Sequence, residues 1–183
     1  MKALDMTRIA GGNENPSNST AGIFHTLVRQ LIGTQASVAG LVARLTLATV
    51  MFPHGAQKTL GWFGGYGFSG TMNFFTETMH IPWVFALAAI LAEAVGPLLL
   101  AAGLATRVAA FAIAANMFVA VATTHLQHGF FMNWFGNQKG EGFEYHILMI
   151  GLALVAMIQG GGRYSADRLL TKSPETAVDE ATA

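Results

Sequence analysis

The chain has 183 residues, of which 52% are hydrophobic and only 11% charged, with a formal net charge of zero and no cysteine. A soluble domain carries about 25% charged residues, so a chain this apolar would leave large sticky surfaces in water that lipid accepts, and the composition points to a membrane protein. Without thiols it cannot form disulfides, thiolate zinc sites, iron–sulfur clusters or covalently attached c-type haem, and its neutral balance gives no sign of a nucleic-acid partner.

In chain order, residues 1–37 form the first unit, and Met1–Thr20 within it is small, polar and aperiodic, so it reads as a flexible tail. No short basic segment runs into an apolar core, so no cleavable signal peptide is expected and the first membrane helix would act as the signal. From Ile23 to Gln35, Ile23, Leu27 and Leu31, with Phe24 and Val28 a turn apart, make one apolar stripe. That stripe suits a short helix in the membrane interface; an irregular lead-in is the alternative.

The first span is predicted over residues 38–60, close to the ~20 residues that cross the hydrocarbon. Arg44 is placed to snorkel at one end, while Pro53, His54 and Lys58 interrupt the apolar surface toward the other. The segment GWFGGYGFSGTMNFFTETMHIPW reads as a loop with a short helix from Gly70 to Met79. A second span over residues 82–103, apolar throughout except for Glu93, meets a third over residues 107–124 across a link so short that the two must form an antiparallel hairpin. A second loop, HLQHGFFMNWFGNQKGEGFE, precedes the last span over residues 143–159. Residues 163–183 are expected to be a polar tail.

The expected fold is therefore an all-α integral membrane four-helix bundle occupying residues 38–162. Eight of the ten basic residues (Lys2, Arg8, Arg29, Arg44, Arg107, Arg163, Arg168, Lys172) fall on one side, against Lys58 and Lys139 on the other. This bias predicts that the N and C termini are both cytoplasmic.

With that topology, Glu93 lies about ten residues into its span, roughly 15 Å deep and near the bilayer midplane. Asn116 reaches a similar depth on the next helix. An ionised carboxylate there costs about 2.5–3.5 kcal/mol on insertion scales, so Glu93 should face the bundle interior and be protonated or paired. Two readings stand for it: a ligand-binding or proton-handling group, or a helix-packing partner of Asn116. His54, His80, His125, His128 and His146 fall toward the outer side with Lys58, Glu77, Glu141 and Glu144. Imidazole and carboxylate suit transition metals, yet the spacings match no standard metal signature, so no metal site is predicted. His54 lies inside its span beside Pro53 and needs a partner within the bundle, for which His125 is the expected choice. The outer aromatics (Trp62, Phe63, Trp83, Phe130, Phe131, Trp134) read most simply as an interface belt, with stacking on a quinone ring as the alternative.

Four segments taken in order, RLTLATVMFPHGAQKTLG, EAVGPLLLAAGLATR, HGFF…GFEYHILM and GGGRYSADRLL, resemble the DoxX family of small bacterial membrane proteins from about Leu41 to Leu170. The resemblance implies a multi-pass protein of the bacterial inner (plasma) membrane. It further implies a subunit of a quinone-linked or oxidative-stress-related oxidoreductase complex, with a protein partner, the lipid bilayer and a quinone as its contacts. Carried onto this sequence, the polar positions are Arg44, His54, Lys58, Glu93, Arg107, His125, His128 and Glu144, with Arg44 and Arg107 as anchors. Glu93, His54 and Lys58 are the expected catalytic set, and Asn116, His125, His128 and Glu144 the expected substrate- or quinone-binding set. The cofactor is otherwise unknown, since no haem or iron–sulfur motif is present. A non-catalytic assembly or anchor subunit is the first alternative and a small-molecule or proton-coupled transporter the second.

Overall fold

The structure, a computed structural model, describes residues 16–171. The described residues are all helical or irregular, with no strand among them. Helix α1 spans Pro16–Ile32, α2 Val38–Leu60, α3 Gly67–Asn73, α4 Trp83–Ala94, α5 Gly96–Ala102, α6 Thr106–Ala120, α7 Glu144–Gln159 and α8 Ala166–Thr171. Met1–Asn15, most of the expected N-terminal tail, and Lys172–Ala183 of the expected C-terminal tail lie outside the described residues. Pro16–Thr20, read as tail from composition, instead open α1, and residues 166–171, read as tail, form α8.

Among the described residues, three helical stretches are long and apolar enough to cross a membrane: Val38–Leu60, Trp83–Ala102 and Thr106–His128. Helix α7 has 16 residues, about 24 Å of rise, and falls short of the ~30 Å hydrocarbon core by itself. The fourth member of the bundle is thus shorter than its three neighbours. It packs along α6 and α2, and the loop 129–143 extends its N-terminal end.

The outward surfaces separate this bundle from a soluble one. Val84, Phe85, Leu98, Phe111, Phe118, Leu148 and Ile158 are largely exposed along the helix flanks, a continuous apolar coat that lipid, and not water, accommodates. On α1 the predicted stripe residues Ile23, Phe24, Leu27 and Leu31 also face away from the protein.

The core is built from small and flexible side chains: Ala43, Leu47, Ala48, Met51, Leu100, Ala109, Ala110, Ile113, Met117, Met149, Ala153 and Ala156. Small residues let helix backbones approach closely, the main source of packing energy between apolar helices in lipid. Gly55 marks the tightest such approach: a β-carbon there would lie 2.1 Å from the carbonyl oxygen of Glu93 on α4.

That carbonyl is special for a local reason. Pro97 has no N–H, so the Glu93 carbonyl loses its ordinary partner four residues on, and the helix is interrupted at Val95 between α4 and α5. The second span, apolar without a gap except for Glu93, is therefore two helical pieces in line.

Two further departures from α-geometry occur at the Lys58 end of the bundle. Helix α3 begins earlier than predicted, at Gly67, and ends in a π turn over Phe74–Thr78. Helix α6 likewise continues as a π turn over Val121–His125 and a 3₁₀ turn over Leu126–His128.

At the opposite end, Arg44 corrects its predicted role. It does not snorkel: it is 2% exposed, and its guanidinium donates to the carbonyls of Leu100 (2.8 Å), Ala101 (2.7 Å), Gly161 (2.8 Å), Arg163 (3.4 Å) and Tyr164 (3.0 Å). The fork shape of guanidinium lets one side chain satisfy the ends of two segments. Arg107 does act as an anchor, donating to the Gly33 and Ile158 carbonyls. Buried Asp167 caps α6, its two oxygens accepting from the amides of Ala105 (2.7 Å) and Thr106 (2.9 Å).

Candidate functional site

The polar residues singled out on α2, α4 and α6 meet inside the bundle. Glu93 is buried, and its carboxylate is shared between two helices: one oxygen accepts from the Lys58 ammonium on α2, the other from the Asn116 amide on α6 at 2.7 Å. Lys58 and Glu93 come together because Gly55, one turn before Lys58, removes the side chain that would hold α2 and α4 apart. Asn116 reaches the same carboxylate because the short turn at Gly103–Ala105 folds α6 back along α4 and α5, which brings equal depths into register.

Lys58 and Glu93 line a cavity of about 460 Å³, within the range that takes a small organic ligand. Helix α2 contributes Val50, Met51 and His54 besides Lys58, α6 and its π turn contribute Met117, Ala120 and His125, α7 contributes Tyr145 and His146, and the loop adds Met132 and Glu141. The walls thus combine apolar contact from Val50, Met51, Met117 and Ala120 with imidazole and phenol rings from α2, the π turn and α7.

The rings are arranged pairwise. His125 lies on His146 with centroids 4.1 Å apart, and Tyr145 stands edge-on to His146 at 5.7 Å. The ring nearest His54 is Tyr145, at 6.4 Å, in place of the expected His125. His125 is committed elsewhere, with its Nδ1 at 2.8 Å from the Glu141 carbonyl oxygen. The π turn accounts for this: one extra residue per turn rotates the end of α6, a device common at functional sites.

Two cavity-lining side chains hold polar atoms without a partner. The Tyr145 hydroxyl oxygen and His146 Nδ1 are both buried and make no hydrogen bond, a condition that ordinarily costs about 1–3 kcal/mol per group. Among the described residues no group of three or more His, Asp or Glu side chains converges as a metal cluster, although His54, His125 and His146 all line the cavity.

Of the seven site residues expected from sequence, Glu93, Lys58, His54 and His125 line the cavity, and Asn116 reaches it through Glu93. His128 and Glu144 do not. His128 packs against Gly140, and Glu144 braces the loop, accepting from the Met132 amide and the Trp134 indole, both at 3.2 Å. Glu141 holds the same loop through the Asn133 amide at 2.7 Å. Sequence reasoning did not single out Tyr145, and it grouped Glu141 and His146 with the outer polar residues without giving either a place in the site. The available signal was that Tyr145 and His146 open an otherwise apolar helix, where a polar group needs a partner within the protein.

Residues 39–126 match the DoxX family model, the stretch that carries Lys58, Glu93, Asn116 and the π turn, whereas Tyr145 and His146 lie beyond it. Comparison with curated proteins and with solved structures finds no match for the chain.

Proposed function

We propose that this membrane protein of the DoxX family is the integral subunit of a quinone-linked oxidoreductase complex of the bacterial inner membrane, with the Lys58 end of the bundle outward and both termini cytoplasmic. The observation that carries the reading is an ion pair, Lys58 with Glu93, inside an apolar bundle and on the wall of a ligand-sized cavity. Ionisable groups at membrane depth are expensive, and their usual justification is a substrate or proton path. The basic residues, eight toward the termini side against two, support the orientation. The exposed stripe of α1 then lies in the inner interface.

The donor set fits a quinone head group. Lys58 and Glu93 neutralise each other, so the site asks for a neutral ligand; Val50, Met51 and Met117 offer apolar contact to a flat ring, and His54 and Tyr145 offer hydrogen bonds at its edge. A bound quinone would supply reversible two-electron, two-proton chemistry, and because the chain has no cysteine the electrons would be carried by a partner. The residues of this chain bind the ring, keep lipid and bulk water from its polar edge, and hold a proton within the Lys58–Glu93 pair. His54, one turn deeper than Lys58 on α2 and lining the same cavity, is placed to exchange that proton with the pair.

A second reading has one observation in its favour: both Glu93 oxygens are already satisfied by Lys58 and Asn116, which is also what a packing pair in a non-catalytic anchor subunit requires. Purification in mild detergent should yield a partner protein together with extractable quinone, and recovery of neither would sink the quinone-linked reading. Glu93→Gln separates the alternatives. Loss of quinone reduction with the partner still bound supports the first, and full activity supports the anchor.

A further inference from the structure

We propose that Tyr145 and His146, and not the Lys58–Glu93 pair, make the hydrogen bonds that recognise the ligand of this cavity, and that they do so for its carbonyl and its hydroxyl form alike. The inference rests on the quinone-linked reading for the choice of ligand; the assignment of the two residues rests on the geometry alone.

Only three buried side-chain nitrogen or oxygen atoms among the described residues lack a hydrogen-bond partner, and two of them are Tyr145 Oη and His146 Nδ1. The third, on Thr106, sits at the other end of the bundle. Buried polar groups are almost always paired in folded proteins, so two neighbouring exceptions in side chains lining one cavity mark a place where a ligand completes the structure. His146 is 7% exposed, which keeps water from satisfying it from outside. By contrast the Glu93 carboxylate is fully engaged by Lys58 and Asn116, and His125 Nδ1 is engaged by the Glu141 carbonyl. The buried, unpartnered hydrogen-bonding atoms of the cavity are both on the α7 wall.

The chemistry of the two groups is matched in a useful way. A phenol hydroxyl both donates and accepts, and an imidazole nitrogen does one or the other according to which ring nitrogen carries the proton. A pair of backbone amides would bind carbonyl oxygens only. Tyr145 and His146 can donate to the carbonyls of a benzoquinone and accept from the hydroxyls of the corresponding hydroquinone, and the His125 ring packs against His146. Both forms of a redox couple therefore meet the same two partners.

The test uses the purified full chain in detergent with a short-chain benzoquinone and its hydroquinone as separate probes, read by quenching of tryptophan fluorescence, alongside thermal melting without ligand. Wild-type protein is expected to bind both probes. Tyr145→Phe and His146→Phe, which keep the rings, should each weaken both by about tenfold, the scale of one lost buried hydrogen bond. Ligand-free Tyr145→Phe should melt at or above the wild-type temperature, because the hydroxyl it removes has no partner. Wild-type binding that both variants retain overturns this inference and leaves the quinone-linked reading standing. Failure of the wild type to bind either probe overturns both. A clear drop in the ligand-free melting temperature of Tyr145→Phe with binding unchanged assigns the hydroxyl to a buried water and also overturns the proposal.

Discussion

Gly55→Ala is the most direct probe of how the site is assembled, because two effects of known size act on it with opposite signs. Inside a helix, replacing Gly by Ala is favourable by about 0.5–1 kcal/mol through the reduced freedom of the unfolded chain. Against this, the new methyl would stand 2.1 Å from the Glu93 carbonyl oxygen, 2.7 Å from its carbon and 2.8 Å from the Ala94 Cα. Relief requires α2 and α4 to part by about 1.3 Å, the gap between 2.1 Å and the 3.4 Å at which ordinary contact begins. The obstacle is backbone, which no rotamer change removes, so the cost belongs at the upper end of the overpacking range, about 3 kcal/mol. The net expectation is a loss of about 2 kcal/mol, or about 4–8 °C in melting temperature for a chain of this length. Gly151→Ala on α7 is the internal control: nothing lies within 4 Å of its added methyl, so that variant should be as stable as wild type or more so. With no cysteine, thiol-reactive dyes cannot report unfolding, but Trp62, Trp83 and Trp134 allow intrinsic-fluorescence melting in detergent. If Gly55→Ala melts at or above the wild-type temperature while Gly151→Ala behaves as stated, the close α2–α4 approach, and with it the origin of the Lys58–Glu93 pair, is refuted.

Lys58→Met should destabilise by about 3–5 kcal/mol because it leaves the Glu93 carboxylate buried without its cation, whereas Lys58→Met with Glu93→Gln should recover most of that loss; melting of the four proteins of the cycle gives the coupling, and additive effects would exclude the pair. Asp167→Ala removes the acceptor for two amides at the start of α6 and should cost about 1–2 kcal/mol, seen as earlier melting without a change in probe binding. Arg44→Lys keeps the charge but cannot fork between the Leu100–Ala101 and Gly161–Tyr164 carbonyls, and should cost about 3 kcal/mol; wild-type stability would mean those contacts contribute little.

Depth was legible in the sequence and direction was not. Hydropathy and counting from the span ends place Glu93 and Asn116 at one level, and the structure joins them at 2.7 Å. Lys58 and His54 were visible as breaks in an apolar helix, but which neighbour each would meet depends on rotation about the helix axis. That rotation is set by Gly55 and by the π turn after Ala120, neither of which leaves a periodic trace. The same limit explains Arg44. An arginine near the end of a span has two outcomes, the headgroups or the carbonyls of a segment more than a hundred positions away, and only the fold chooses between them. Asp167 was invisible as a cap because its helix lies sixty residues upstream. The short α7 was foreseeable in position but not in consequence: Tyr145 and His146 in its first turn form a wall of the cavity, which hydropathy alone does not reveal.

The clasp at the Arg44 end has a bearing on how the protein is made. Arg44 emerges from the ribosome early and enters the bilayer with its helix, yet three of its five carbonyl partners belong to residues 161–164 and the cap of α6 waits for Asp167. Until that late stretch is synthesised, an unsatisfied guanidinium and an uncapped helix start persist in a nascent intermediate. A ribosome halted shortly before Gly161 should therefore present helices whose Arg44 guanidinium and α6 start still lack these partners, and synthesis of α8 supplies them.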